Sequence, residues 1–163
     1  MPFQLRDYTP TDFDTLYEID RDCYPRGIAY SRSTLRWFLS QRGADCLVAE
    51  SSAAEAPRGA TIGGFLITES EGEAAHIITL DVVAAHRRGG VGSALLSAAE
   101  GRLAARGVRR VSLETATDNE AGVAFWQRHG YRTCGVMRRY YLGRTDAFAM
   151  IKTLPTIKER HRA

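Results

Sequence analysis

The chain has 163 residues, 44% hydrophobic and 25% charged, with 22 basic against 19 acidic side chains for a net charge of +3. That length fits one domain with a sizeable core; the charge is too mild for a nucleic-acid surface, and no apolar run approaches the ~18 residues of a membrane helix. Cys23, Cys46 and Cys134 are far apart and odd in number, which argues against a disulfide framework or a paired-cysteine metal site and for a reducing cytoplasm.

MPFQLRDYTP carries an acid early and lacks the apolar stretch of a signal peptide. FQLRDYT alternates as a first strand. TPTDFDTLYEIDRDC reads as a helix with Thr9 as N-cap, Pro10 in the first helical position and Asp12 in the capping-box slot. Phe13, Leu16, Tyr17 and Asp20 follow helical spacing, with an apolar stripe until Asp20. YPRGIAY breaks the helix, and Ser31 caps a second, SRSTLRWFLSQ. CLVAE is a short strand. SSAAEAPRGA, with Pro57 and Gly59, is a flexible connection. TIGGFLITES is a strand with a hairpin turn at Glu71-Gly72. AAHIITLDVVAA is the longest β-branched apolar run and reads as a central strand.

VGSALLSAAEGRLAARG is helical, with Val91, Ala94, Leu95, Ala98 and Leu103 among its buried candidates, and stops at Gly107. VRRVSLETAT is a strand. DNEAGVAFWQRHG is a helix capped at Asp118 or Asn119 and closed by Gly130. YRTCGVMRRYYL and DAFAMIKTL form a closing strand pair, and PTIKERHRA is a polar tail. The expected architecture is one α+β domain over residues 1–154, with residues 155–163 as the tail.

The strongest chemical signal lies between the central strand and the next helix, in HRRGGVGSALL. A strand, a glycine-rich loop and a helix start make an anion trap, because the first helical N–H groups lack partners and the helix dipole adds positive charge. Glycine admits a ligand close to the backbone, and Arg87 and Arg88 offer charge-assisted bonds to phosphate. A Walker loop is excluded by the missing Gly-Lys-Ser/Thr, and a dinucleotide fingerprint by Leu95 where a third glycine would stand.

The remaining pattern, Arg87-x-x-Gly90-x-Gly92, resembles the pyrophosphate-binding motif of the GNAT-superfamily N-acetyltransferases. Asn119-x-x-Gly122-x-x-Phe125-Trp126-x-x-x-Gly130-Tyr131 resembles that family's second signature, usually Asn-x-x-Ala-x-x-Leu/Phe-Tyr-x-x-x-Gly-Phe. HIITLDVVAAHRRGGVG, VSLETATDNE and RRYYLGRTDAFAM are similar to the protein N-terminal acetyltransferases, a group that includes the ribosomal-protein alanine acetyltransferases.

The resemblance implies an α/β/α sandwich, with a mixed sheet of about seven strands and helices on both faces. It also implies an acetyltransferase that uses acetyl-CoA and no metal. Arg87, Arg88, Gly89, Gly90, Val91, Gly92 and Ser93 would hold the diphosphate, and main-chain groups near Leu80 and Val82 with Asn119 would hold the pantetheine arm. The Val82 N–H could polarise the thioester carbonyl. Glu114 stands at the general-base position of the bacterial members, and His76 at a secondary position that helps hold water or substrate in some eukaryotic ones. The bland reading of Glu114 is a strand carboxylate paired with an arginine such as Arg110.

Tyr24, Pro25 and Tyr30 occupy the first peptide-binding loop, and Tyr140 and Tyr141 the clamping hairpin. Trp126 departs from the family tyrosine that donates a proton to the CoA thiolate. It either stabilises the sulfur, yields the acid role to a group such as Tyr141, or is a core aromatic. The expected partners are acetyl-CoA and a peptide or protein N-terminus, with no nucleic acid or membrane, in a monomer or homodimer. A small-molecule amine acetyltransferase and a non-catalytic CoA-binding regulatory domain are the alternatives.

Overall fold

The computed structural model describes residues 3–52 and 61–156. The connection expected around Pro57 and Gly59, and the tail beyond residue 156, lie outside the described residues. Among the described residues, seven strands and four α-helices follow one another as β1 (Phe3–Asp7), α1 (Phe13–Cys23), α2 (Arg32–Ser40), β2 (Ala44–Ser51), β3 (Ile62–Glu71), β4 (Ala74–Val82), α3 (Val91–Ala105), β5 (Arg110–Ala116), α4 (Glu120–Arg128), β6 (Arg132–Tyr141) and β7 (Thr145–Thr153). The strands form one mixed sheet in the order β1-β2-β3-β4-β5-β7-β6. This is the α+β arrangement expected from the element order.

Two compact units emerge, one formed by Met1–Glu69 with Ile78–Gly101 and one by Ser70–Ile77 with Arg102–Ala163. In the first, β1 and β2 run antiparallel with Leu5 opposite Ala49, and β2 and β3 with Val48 opposite Phe65. Phe13, Leu16, Ile19 and Leu35 of α1 and α2 pack with Cys46, Val48, Phe65 and Ile67. The helical spacing read from the sequence therefore faces the sheet. It begins later than expected, because Pro10–Asp12 is a tight 3-10 turn and α1 starts at Phe13.

Arg6 explains the position of Asp12. Its guanidinium spans both Asp12 oxygens at 2.8 and 2.9 Å and reaches Glu50 at 2.7 Å, while the Thr9 N–H donates to Asp12 at 2.9 Å. The Arg6 hydrogen bond holds the Asp12 carboxyl below its ordinary range. At α2 the Ser31 hydroxyl accepts the Thr34 N–H at 3.2 Å, so the cap read from the sequence stands.

In the second unit, the start of β4 pairs in parallel with β5, placing His76 opposite Ser112. β7 runs antiparallel to β5, with Glu114 opposite Ala149, and to β6, with Tyr141 opposite Thr145. Val111, Leu113, Trp126, Tyr131, Ala147 and Met150 are buried here. The apolar stripe of α3 differs from the expected one. Val91, Leu95, Leu96, Ala99 and Leu103 are buried, whereas Ala94 and Ala98 are only half-buried. Bulky side chains at 95 and 96 turn the helix so that the small alanines flank the contact rather than fill it.

Candidate active site

The first unit carries the glycine loop. After β4 a short 3-10 turn, Ala84–His86, leads into Arg87–Gly90, and α3 begins at Val91. Gly90 has φ +85° and Arg88 φ +64°, so the chain reverses sharply ahead of the helix. The first helical hydrogen bond runs from the Ala94 N–H to the Gly90 carbonyl at 3.0 Å, which places the preceding N–H groups ahead of the helical ladder. The first turn holds no acidic residue. These features fit an anion.

The two arginines do different things. Arg88 is exposed beside the loop. Arg87 turns back, with Nε donating to the Val82 carbonyl at 3.1 Å and Nη2 lying 3.5 Å from Cys23 Sγ. Its charge braces the exit of β4. Two tyrosines repeat that pattern: the Tyr24 hydroxyl donates to the Leu80 carbonyl at 3.5 Å and the Tyr30 hydroxyl to the Ile78 carbonyl at 3.3 Å. Three alternate carbonyls of β4, at 78, 80 and 82, are thus capped by Tyr30, Tyr24 and Arg87. Pro25 is exposed, and its carbonyl accepts the Ile28 and Ala29 N–H groups in a turn that contains Gly27.

Beneath this segment lie Asp20 and Asp81, both sealed from solvent. The Asp20 carboxylate accepts the Tyr30 N–H at 2.7 Å, and Asp81 accepts the Thr79 hydroxyl at 2.5 Å. Burial, then the neighbouring Asp20, pushes the Asp81 carboxyl well above its ordinary range. The sequence reading did not single out Asp81. The available signal was its parity, since it shares the buried face of β4 with Ala75, Ile77 and Thr79.

In the second unit, His76 Nε2 meets Glu114 Oε2 at 2.6 Å, and His76 Nδ1 meets the Ser112 hydroxyl at 2.8 Å. Register explains the trio. His76 stands opposite Ser112, and Glu114 lies two residues further along the same face of β5. The partner of Glu114 is therefore His76 and not Arg110, which lies four residues, roughly 13 Å, back along the strand. Ser112 is a site residue that the sequence reading missed.

The 2.6 Å contact must contain a proton, because an imidazole nitrogen and a carboxylate oxygen are otherwise two acceptors. With neutral His76 protonated on Nε2, Nδ1 accepts from Ser112. The Ser112 hydroxyl also lies 3.4 Å from the Ala75 carbonyl and can turn to it.

Tyr140 and Tyr141 sit edge to face, 4.9 Å apart. A register shift between Met137 and Tyr141, with positive φ at Arg139 and Leu142, re-aims this end of the hairpin. The Arg139 N–H donates to the Asp146 carboxylate at 2.8 Å, and the Asp146 carbonyl accepts the Thr117 N–H at 3.0 Å, tying the bulge to the end of β5. Burial pushes the Tyr141 phenol up to about 12, with Tyr140 and Glu114 adding to it. Burial and then Glu114 raise Tyr140 as well. Both are hydrogen-bond donors at neutral pH. Protonating a thiolate of pKa about 8.5 from Tyr141 would run uphill by roughly three orders of magnitude, which makes it a poor acid for that step.

Trp126 is 9% exposed, with its ring edge-on to Tyr131 at 5.3 Å, so it is built into the core of this unit. Asn119 caps α4, its side chain accepting the Gly122 N–H at 3.1 Å. A Cβ at Gly122 would stand 2.5 Å from Asn119 Nδ2, so a side chain there would make the Asn119 cap shift. Among the described residues, no group of three or more His, Cys, Asp or Glu could hold a metal ion, and no helix is long and apolar enough to cross a membrane.

Residues 13–131 match the family model described as the acetyltransferase (GNAT) family. The chain is 34% identical over 94 residues to N-alpha-acetyltransferase 30 of Schizosaccharomyces pombe, a match covering 58% of this chain and 55% of that one, so the chain spans about half the length of this relative. The ribosomal-protein-S18-alanine N-acetyltransferase of Escherichia coli superposes with a TM-score of 0.82 at 22% identity, covering 94% of this chain and 95% of that one. Arabidopsis thaliana NAA60 in complex with acetyl-CoA superposes with a TM-score of 0.82 at 19% identity, covering 93% and 98%. At these identities the two structures establish a common fold.

Proposed function

The chain belongs to the GNAT acetyltransferase family, and we propose that it moves the acetyl group of acetyl-CoA to the α-amine of a peptide or protein N-terminus. The observation that carries this reading is the Glu114–His76 contact at 2.6 Å, with two tyrosine phenols raised by burial and, in smaller part, by the charge of the same carboxylate. One unit thereby brings together a proton acceptor and a pair of amphipathic rings suited to an extended backbone.

The donor side rests on the first unit. Gly90, Val91, Gly92 and Ser93, with exposed Arg88, are the groups that would receive the diphosphate, and Gly89 carries no side chain in the way. Arg87 braces β4 at Val82, whose N–H is the candidate donor to the thioester carbonyl. In the reaction, the amine nitrogen bonds to the carbonyl carbon, the carbon–sulfur bond breaks and CoA leaves as a thiolate. Glu114 takes the amine proton, directly or through water, and the His76 Nε2–H, steadied by Ser112, holds the carboxylate in place. A thiolate of pKa about 8.5 can leave without an acid, so burial of Trp126 in the core does not block turnover. Asn119 serves as the α4 cap and is the side chain that would hydrogen-bond the pantetheine arm.

The acceptor class is supported by the relatives, which are named as Nα-acetyl and ribosomal-protein alanine acetyltransferases. Free-thiol release from acetyl-CoA, measured with a panel of peptides and a panel of polyamines, free amino acids and amine drugs, tests it. Release with peptides is expected. Release with small amines alone would replace the acceptor, and tight acetyl-CoA binding without release in either panel would favour a regulatory CoA-binding domain.

A further inference from the structure

We propose that the buried Asp20–Asp81 carboxyl pair, sharing one proton, is a positioning device that pins the Tyr24–Tyr30 segment to β4 and so sets the affinity for the acceptor. The proposal rests on the reading of that segment as part of the acceptor site.

Asp20 is 0% and Asp81 1% exposed. One oxygen of each has an ordinary donor, the Tyr30 N–H on Asp20 Oδ2 and the Thr79 hydroxyl on Asp81 Oδ1. The other two, Asp20 Oδ1 and Asp81 Oδ2, are buried and have none, and the Asp20 carboxyl stands close enough to act directly on that of Asp81. Two carboxylates are both acceptors and repel in a dry interior. A single proton between Asp81 Oδ2 and Asp20 Oδ1 satisfies both oxygens at once. The pair is too deeply buried for an acceptor amine to reach, so it acts through what it holds.

What it holds is the entry to the acceptor segment. The Tyr30 N–H on Asp20 fixes the backbone at one end, and the Tyr30 and Tyr24 hydroxyls fix both rings to the carbonyls of Ile78 and Leu80. The Tyr24 N–H closes α1 on the Asp20 carbonyl at 3.1 Å. The groups that face the pair are the Tyr24 phenol and Cys23 thiol from α1, Thr79 on β4, and Arg87, which reaches Cys23. On β3 the bare backbone of Gly64 lies against the Asp81 main-chain carbonyl, with the apolar Val91 and Leu95 of α3 beside Gly64. With the shared proton lost, two negative charges stand sealed together, and their repulsion parts the end of α1 from β4, loosening the Tyr24 and Tyr30 hydroxyl bonds to the Leu80 and Ile78 carbonyls.

The test uses the full chain as wild type, Asp81→Asn and Asp81→Ala. Three quantities are measured: hydrogen exchange over residues 24–30, the acceptor KM and the acetyl-CoA Kd. Asn donates permanently in place of the shared proton. Asp81→Ala should speed exchange in the segment and raise the acceptor KM, each by about tenfold or more, with the acetyl-CoA Kd within about threefold. Asp81→Asn should keep both near wild type. With rising pH the wild type should lose segment protection relative to Asp81→Asn.

The proposal is overturned if Asp81→Ala leaves either segment exchange or acceptor KM unchanged, or if Asp81→Asn matches it in both. Should Asp81→Ala fail to fold, the wild-type and Asn chains decide alone, since parallel loss of protection with pH in both refutes it. If the wild type acetylates no peptide, the acceptor class fails in that control. The exchange readout then stands, and KM is measured on whichever amine reacts.

Discussion

Glu114→Gln separates proton removal from everything else the site does. Gln keeps the size of the side chain, and its amide oxygen still accepts from His76 Nε2, so the 2.6 Å contact and the Ser112 bond behind it can persist. What disappears is the charge that takes the proton. An α-amine of pKa about 7.7–8.0 is roughly one-third neutral at pH 7.5, so part of the deprotonation is complete before attack. General-base help is then expected at the low end of its usual range, about a hundredfold, or about 2.7 kcal/mol of barrier. The assay is initial thiol release at saturating acetyl-CoA and acceptor, beside a direct acetyl-CoA Kd. Turnover should fall about a hundredfold with the Kd within about twofold, and the variant should regain about threefold as pH rises past 8 and the amine becomes neutral. Turnover within about threefold of wild type at pH 7.5, or a loss that appears wholly in the Kd, would refute the assignment.

Gly90→Val forces a β-branched residue into φ +85°, at a cost of about 1–2 kcal/mol, and should abolish the thermal stabilisation that acetyl-CoA gives; unchanged stabilisation sinks the diphosphate loop. Asp12 has its carboxyl held below the ordinary range by Arg6, so its contribution is present above the unfolded value near 4 and lost as pH falls through the folded one. Urea titrations of Asp12→Asn should therefore show lower stability at pH 7, by about 1–3 kcal/mol, and a shallower loss on acidification; a constant offset at all pH values contradicts this. Trp126→Ala should cost about 3–5 kcal/mol of stability through the cavity it leaves, whereas Trp126→Phe should leave the acetyl-CoA Kd within about threefold; a larger Kd change in the Phe variant would show a direct contact with the donor.

The loop and its helix were legible because their signals are local. A β-branched run, glycines at 89, 90 and 92 and a helical repeat from Val91 each act within a few residues. The caps at Ser31 and Asn119 follow from the hydrogen bonds of single side chains. The start of α1 is not legible locally because the tight turn at Pro10–Asp12 is held by Arg6 from β1, itself bonded to Glu50 of β2. Which alanines of α3 are buried was likewise set by neighbours rather than by periodicity.

Sequence by itself determined the family, the order of elements and the place of the anion loop, since strand alternation, helix repeat and turn chemistry are properties of neighbouring residues. Only the tertiary structure decided which distant groups share protons. Parallel pairing of β4 with β5 sets His76 against Ser112, 36 residues away, and Glu114 beside it, so that a candidate base becomes a trio. Asp20, which ends the apolar stripe of α1, is sealed from solvent beside Asp81, an acid that strand parity alone placed on the buried face of β4. Proton affinity depends on burial and on the nearest charge, and both are fixed by contacts that no short stretch of sequence contains.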